Sequence, residues 1–262
     1  MRFSIVSVAL LGCLSALQIT AEDRPLRVAI FQADVTPPLG SPLCNGNVKP
    51  VLEVVTPLTA RGIVLLGAGE PIVLCAVDWV GIANESHDAF RISLAQAAGT
   101  KIERVTLHTL HQHDAPGSDF ATERLLASHG LGGLYSNRGF DEDSMAKIAE
   151  ALRGSMTETQ PVTDSGLGVG RVEKVASNRR ILGPSGQVVL QRQSSGGRNP
   201  AARAAPEGTI DPDVRLLSLW NNGKAIAVLT WYATHPQSYY GRGSVNWDFV
   251  GMAREIRSKA LP

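Results

Sequence analysis

The sequence predicts an α/β fold in which mixed β-sheet layers carry flanking helices. Short runs rich in valine, isoleucine and leucine recur along the chain, and longer segments with helical periodicity lie between some of them. Two pairs of these runs are joined by turns too short for a parallel crossover, so part of the sheet must be antiparallel. Strands and helices do not alternate strictly, and no repeat or heptad pattern is present.

The first half of the chain predicts four strands and one helix. The strand-like runs are Leu26–Ala33, Ala60–Leu66, Ile72–Val77 and Val105–Leu107. The short turn Gly67-Ala68-Gly69 joins the second and third runs, which predicts an antiparallel hairpin. Ser86 to Ala98 has an apolar stripe at helical spacing, with Asn84 or Ser86 as its predicted cap and Gly99 at its end.

The second half predicts two more helices and four more strands. The helices are Asp143–Arg153 and Phe249–Ala260, and the strands are Gly166–Val175, Val188–Arg192, Val214–Trp220 and Ala225–Tyr232. Asn221-Asn222-Gly223 predicts a hairpin between the last two strands. Between strand-like runs lies Ser194–Gly208, a small, proline-interrupted segment. It is interpreted as a disordered insertion or as a mobile lid carrying Arg198 or Arg203 towards a substrate.

The ends and the charge of the chain bear on its location and partners. Residues 1–21 combine an early arginine with a short apolar stretch and small residues near Ala21, which predicts a signal peptide and a secreted or periplasmic protein. Leu11-Gly12-Cys13 offers the alternative of a lipoprotein anchored through Cys13. The formal net charge of +1, without a long run of one sign, gives no indication of nucleic-acid binding.

The segment from Thr106 to Gly117 contains three of the six histidines of the chain, His108, His111 and His113. On an extended backbone, residues two apart project on the same face, so the imidazoles of His111 and His113 are predicted to reach one metal ion. His108 then projects on the other face and is interpreted as a core or structural residue. Zinc suits neutral imidazole ligands. The alternative is a pair of hydrogen-bonded histidines without a metal.

The sequence His111-Gln-His-Asp-Ala-Pro-Gly117 resembles the His-Thr-His-Ser-Gly-Pro-Gly signature of the neutral/alkaline ceramidase family. Further short segments resemble family motifs in the same order along the chain. They are Ala33-Asp-Val-Thr-Pro37, Thr59-Ala-Arg-Gly-Ile-Val64, Ala76-Val-Asp78, Ser177-Asn-Arg179, Thr230-Trp-Tyr-Ala-Thr-His235 and Asn246-Trp-Asp248. The resemblance identifies residues 22–262 as the front part of a ceramidase-like N-terminal catalytic domain.

The resemblance implies a zinc-dependent hydrolase of N-acyl amides and assigns roles to five residues. His111 and His235 are the implied zinc ligands, and His113 is implied to orient the substrate or the zinc-bound water, with a ligand role left open. Arg179 matches a pocket arginine that binds a carboxylate product or an amide carbonyl; the alternative is an ordinary surface residue. Asp248 is either a further ligand or water-orienting carboxylate, or only the cap of the last helix.

The family's substrate is ceramide, so the implied partner is a lipid or another acyl amide, with peripheral contact to a membrane surface. Gln112, Asp114 and Ala115 depart from the family signature and predict a divergent substrate. In the family, a glutamate, a tyrosine and a catalytic serine follow downstream of the second histidine. The sequence stops at Pro262 before any of them, which predicts an incomplete C-terminus, reduced metal affinity and reduced or absent activity in this form.

Two other functional classes remain open on the sequence alone. One is a different secreted metallohydrolase that uses the His111–His113 pair. A metallo-β-lactamase-like enzyme is disfavoured here, because Ala115 and Pro116 stand where its H-x-H-x-D-H motif requires aspartate and histidine. The other is a non-catalytic binding or structural module whose histidines only support the fold.

Overall fold

The computed structural model of the chain describes residues 24–193 and 199–260. The predicted signal peptide 1–21, with Cys13, lies outside the described residues. The strands are β1 Arg27–Asp34, β2 Glu53–Val54, β3 Thr59–Gly67, β4 Gly69–Val77, β5 Gly81–Ile82, β6 Val105–Thr109, β7 Gly117–Ser118, β8 Gln160–Pro161, β9 Asp164–Arg171, β10 Arg180–Leu182, β11 Val188–Gln191, β12 Asp213–Asn221, β13 Lys224–Tyr232 and β14 Ser244–Val245. The helices are α1 Asn84–Ala98, α2 Phe120–Ser128, α3 Arg138–Ser155, α4 Pro200–Ala204 and α5 Asp248–Ala260.

The main sheet has five strands in the order β6-β4-β3-β1-β8. The β3–β4 hairpin is antiparallel, as the glycine turn predicts, whereas β6 joins β4 in parallel after the crossover through α1. A second, antiparallel sheet has the order β13-β12-β9, and its β12–β13 hairpin turns at the predicted Asn221-Asn222-Gly223. The predicted α/β class with mixed sheet layers is therefore confirmed.

The molecule has three layers, because the main sheet is covered differently on its two faces. Side chains such as Phe31, Val64 and Cys75 point to one face and form the main core with α1 and α3. On the other face, Val28 and Ile63 pack against Leu219 of the second sheet in a smaller cluster. Cys44 and Cys75 are buried free thiols.

Several predicted boundaries are wrong. Gly99 ends α1 in the left-handed conformation, as expected. At the start of the helix, Ala83 occupies the N-cap position, so neither Asn84 nor Ser86 caps α1. α3 begins five residues before the predicted Asp143, because the Asn137 side chain accepts a hydrogen bond from Phe140 N and starts the helix there.

The predicted disordered insertion is contradicted for residues 199–208, while Arg198 lies outside the described residues. Asn199 caps α4, and Ala202 is buried. The buried Arg192 side chain donates hydrogen bonds to the carbonyl oxygens of Ala202, Ala205 and Pro206, so that one guanidinium holds this segment. Among the described residues, no helix has the length and apolar character needed to cross a bilayer.

Candidate metal centre

The structure brings together three of the histidines singled out in the sequence, His111, His113 and His235. One ring nitrogen from each lies within 4.8 Å of the others. The closest pair is His113 Nε2 and His235 Nε2, 3.1 Å apart, and the three ring centroids are separated by 4.7 to 4.9 Å. His113 is buried, whereas His111 and His235 are open to solvent.

The backbone that carries His111 and His113 is not the extended strand that the sequence suggested. β6 ends at Thr109, and His111 adopts a left-handed conformation with φ of 67°. Two hydrogen bonds select this conformation, since His111 N donates to Trp79 O (2.9 Å) and His111 Nδ1 contacts Val80 O at 2.6 Å. The two imidazoles therefore converge through a bend in the chain rather than by sharing one face of a strand.

Two of the rings are oriented by backbone carbonyls. Besides His111 Nδ1 at Val80 O, His113 Nδ1 lies 3.0 Å from Pro236 O. A carbonyl only accepts hydrogen bonds, so each Nδ1 carries the proton and each Nε2 presents a lone pair. A second hydrogen bond of this kind is what metal-ligating histidines normally make.

The residues fit a transition-metal ion of the zinc type. Tetrahedral zinc with Zn–N bonds of about 2.0–2.1 Å holds its nitrogen ligands about 3.3 Å apart, close to the observed separation of His113 and His235. His113 Nε2 therefore faces His235 Nε2 at 3.1 Å as an acceptor, and either a proton on His235 Nε2 or a shared cation joins the two nitrogens. Burial, together with the neighbouring imidazoles, lowers the pKa of both His113 and His235, which favours the neutral, ligating form.

Asp114 joins the histidine motif to the loop that follows His235. Its buried Oδ1 accepts hydrogen bonds from Gly241 N (2.8 Å) and Arg242 N (3.2 Å). Burial raises the pKa of this carboxyl, although the backbone N–H groups oppose the shift. Asp114, one of the departures from the family signature, therefore holds together the two segments that supply the histidines.

Asp248 does not point its oxygens at the histidine cluster as a free ligand. Oδ1 accepts from Phe249 N, and Oδ2 accepts from Ser238 N (2.9 Å) and Tyr239 N (3.2 Å). This buried carboxylate accepts a backbone N–H at the start of α5 and fixes the turn three residues beyond His235. It is not part of the three-histidine group, but its charge acts on the pKa of both His113 and His235, so it lies near them. The two roles expected for Asp248, the helix cap and the water-orienting carboxylate, both stay predictions.

A buried ionic network around Asp78 contacts the histidine motif through Gln112. Asp78, which has no solvent exposure, receives two hydrogen bonds of 2.7 Å from Arg254 and one of 2.9 Å from Gln112 Nε2. Thr59 adds its backbone N–H and its hydroxyl, both at 2.9 Å. Because Gln112 lies between His111 and His113, this network ties the motif to β3 and α5.

The remaining candidates lie at different distances from the cluster. Arg179 is exposed, but its positive charge contributes to the lowered pKa of His235, which places it beside the site. Tyr240 contacts His113 edge-to-face at 5.4 Å. His108 lies on β6 with an exposed side chain, so a core position is wrong for it, and it is not in the three-histidine group.

Sequence reasoning missed the partners of the histidines. Arg254 lies 176 residues from Asp78, and no local pattern connects them. Asp114 was noted only as a departure from a signature, because its partners, the backbone N–H groups of Gly241 and Arg242, lie more than 120 residues away.

Solved structures with a similar fold include two ceramidases. The structure of neutral ceramidase from Pseudomonas aeruginosa matches with a TM-score of 0.65 and 19% identity, over 92% of this chain and 37% of that chain. A ceramidase complexed with C2 matches with a TM-score of 0.65 and 20% identity, over 92% of this chain and 36% of that chain. The sequence matches no protein-family model and no curated protein. The chain spans little more than a third of these ceramidase structures, and it has the fold of the part of neutral ceramidase that it covers.

Proposed function

We propose that residues 22–262 form the metal-binding front part of a zinc-dependent hydrolase that cleaves N-acyl amides, such as ceramide or a related lipid. The observation that carries this proposal is the convergence of His111, His113 and His235 with two of the rings oriented by carbonyl oxygens. The fold shared with neutral ceramidase supports the same reaction class.

All three histidines are assigned to the zinc ion. His113 serves as the third ligand, because its Nε2 faces the Nε2 of His235 and its Nδ1 is already committed to a backbone carbonyl. Zinc bound there supplies a Lewis acid and lowers the pKa of a coordinated water towards about 7. His111, His113 and His235 would hold the ion and leave it accessible to a water or a substrate carbonyl.

The protein groups around the ion position the substrate. Arg179 lies beside His235, and its guanidinium suits the carboxylate of a fatty-acid product or the oxygen of the scissile amide. Tyr240 covers His113 on one side and limits access of water from that direction. Asp114 and Asp248 hold the loop between them, so the geometry is set before substrate binds.

Exposed apolar side chains on a segment that is hydrogen-bonded to residues 243–245 suit a lipid substrate and contact with a membrane surface. Leu52, Val54 and Val55 are 44% to 61% exposed, although their segment is hydrogen-bonded to residues 243–245. Tyr239 and Tyr240 lie a few residues before that segment and are also exposed. Aliphatic and tyrosine side chains together favour the interface between water and lipid.

The first test is the zinc content of the purified protein together with zinc titrations of histidine variants. We expect His111→Ala, His113→Ala and His235→Ala each to weaken zinc binding by at least about 100-fold, since each removes a direct ligand. His108→Ala is the matched control and is expected to leave zinc affinity unchanged. Unchanged affinity in His113→Ala would return His113 to a substrate-orienting role. Absence of zinc binding in the wild type would support a non-catalytic module.

The substrate is tested separately. N-acyl sphingosines and simple fatty-acyl amides are offered to the zinc-loaded protein, and the release of fatty acid is measured. Arg179→Ala is expected to lower turnover by about 10-fold or more while zinc content stays constant, because the lost contact is to the reacting amide. Full zinc binding with no amide cleavage would refute the hydrolase assignment for this chain and leave the metal centre standing.

A further inference from the structure

A second buried polar cluster lies behind the histidine motif, at the start of α3. It consists of Asp141, Ser136 and Ser144, which are all at most 1% exposed. Ser118, the second residue of β7 and also buried, borders it. None of these residues belongs to the proposed zinc centre.

This cluster is short of hydrogen-bond partners. Both carboxyl oxygens of Asp141 and the hydroxyl oxygens of Ser136 and Ser144 are buried without a partner. Buried polar atoms are almost always satisfied in native proteins, so four such oxygens in three neighbouring residues indicate a missing ligand. The hydroxyls of Ser118 and Ser136 approach Asp141 and oppose the rise of its pKa, but their contacts fall short of regular hydrogen bonds, and the Ser118 hydroxyl donates to Ser86 Oγ at 2.9 Å.

The charge around the cluster is negative. Asp119 and Glu123 are buried beside it, and their oxygens are taken up by backbone N–H groups, Thr122 and Asn84. None of Asp119, Glu123 and Asp141 forms an ion pair with a lysine or arginine of the described residues. Burial, reinforced by the charges of Glu123 and Glu142, raises the pKa of Asp141 to about 7. An isolated buried carboxylate is costly unless a cation or a proton neutralises it.

We infer that Asp141, Ser136, Ser144 and Ser118 form a binding site for a hard cation, with calcium as the ion that fits best. All the donors are oxygens, which excludes a preference for zinc. Calcium accepts six to eight oxygens in irregular geometry, including hydroxyls and waters, whereas magnesium demands a regular octahedron. The single free carboxylate predicts weak binding, with a Kd of about 0.1–1 mM.

The site is placed to support the histidine motif. Ser118 follows Gly117, the last residue of that motif. The strand β7 that contains them pairs in parallel with β5, which begins directly after Val80, the residue whose carbonyl orients His111. A cation at Asp141 would therefore fasten the far end of the segment that supplies His111 and His113. The inference is independent of the proposed hydrolase activity.

The test is thermal unfolding of the 262-residue protein after treatment with a chelator, with calcium or magnesium added at constant ionic strength. We expect calcium at about ten times its Kd to raise Tm by about 3–6 °C. Asp143→Asn, an exposed acidic position on the same helix, is the matched control and keeps the full shift. Asp141→Asn is expected to abolish it.

Ser144→Ala provides a second variant in case Asp141→Asn fails to fold. It removes one neutral donor, and we expect calcium affinity, measured by titration calorimetry, to fall by about tenfold. No calcium-dependent change in Tm up to about 10 mM in the wild type would overturn the inference, because that concentration exceeds the expected Kd. An equal calcium-dependent rise in Tm in Asp141→Asn would also overturn the inference. A larger rise in Tm with magnesium than with calcium would overturn the assignment to calcium. None of these outcomes bears on the assignment of zinc to the three histidines.

Discussion

Removal of Arg254 tests whether the buried ionic network supports the metal centre. In the native protein the guanidinium donates two 2.7 Å hydrogen bonds to Asp78, whose carboxylate has no solvent exposure. Arg254→Ala leaves that carboxylate buried with its three remaining hydrogen bonds from Thr59 and Gln112. The pair is the one ion pair with a fully buried partner among the described residues.

The magnitude follows from burial. Breaking a buried ion pair by removing one partner costs about 3–5 kcal/mol. The Arg254 side chain is 24% exposed, and Asp78 keeps three hydrogen bonds, so we expect a loss of about 2–4 kcal/mol in the free energy of unfolding. Because Gln112 lies between two zinc ligands, we also expect zinc affinity to fall by about tenfold.

The assay is urea unfolding of the metal-free protein, followed by zinc titration of the folded variant. Lys259→Ala is the control, because it removes an exposed ion pair with Glu255 on the same helix and costs about 0.3–0.5 kcal/mol. A loss below about 1 kcal/mol in Arg254→Ala would refute the reasoning, since that amount corresponds to a surface pair.

Three further predictions concern other parts of the fold. Asp114→Ala leaves two backbone N–H groups without an acceptor, so urea unfolding should show a loss of about 2–4 kcal/mol, whereas Asp114→Asn, which keeps one oxygen, should lose less. Gly251→Ala places a methyl group against the Trp247 ring and is expected to lower the free energy of unfolding by about 1–3 kcal/mol. Gly154→Ala, in open space on α3, is the control and should be neutral or stabilising in the same assay. Equal effects of the two substitutions would contradict the close contact between Gly251 and Trp247. Because the pKa of Asp141 is raised to about 7, the folded protein without calcium keeps a proton that the unfolded chain loses near pH 4. The free energy of unfolding of the wild type relative to Asp141→Asn should therefore fall by about 3 kcal/mol between pH 5 and pH 8 in urea unfolding. A difference that does not change with pH would show that the pKa of this carboxyl is not raised in the folded protein.

The sequence-based predictions are correct mainly where residues close together in the sequence determine the structure. The β12–β13 hairpin was predictable because Asn221-Asn222-Gly223 fits a tight turn, and the end of α1 because Gly99 adopts φ of 65°. The helix α2 was missed, although Asp119 accepts hydrogen bonds from Ala121 N and Thr122 N as its cap. Its nine residues make fewer than three helical turns, which are too few for a clear periodic pattern.

The sequence by itself determined the class of fold and the histidines to examine, because strand runs, turns and the spacing of His111 and His113 are local features. The tertiary structure decided how the site is built. Val80 O and Pro236 O orient two rings, Asp114 joins the two histidine segments, and Arg254 neutralises Asp78 from α5. In each of these pairs the two residues are 31 to 176 positions apart in the sequence. Local sequence patterns carry no information about such pairings, because the free energy that selects them arises only when the layers pack together.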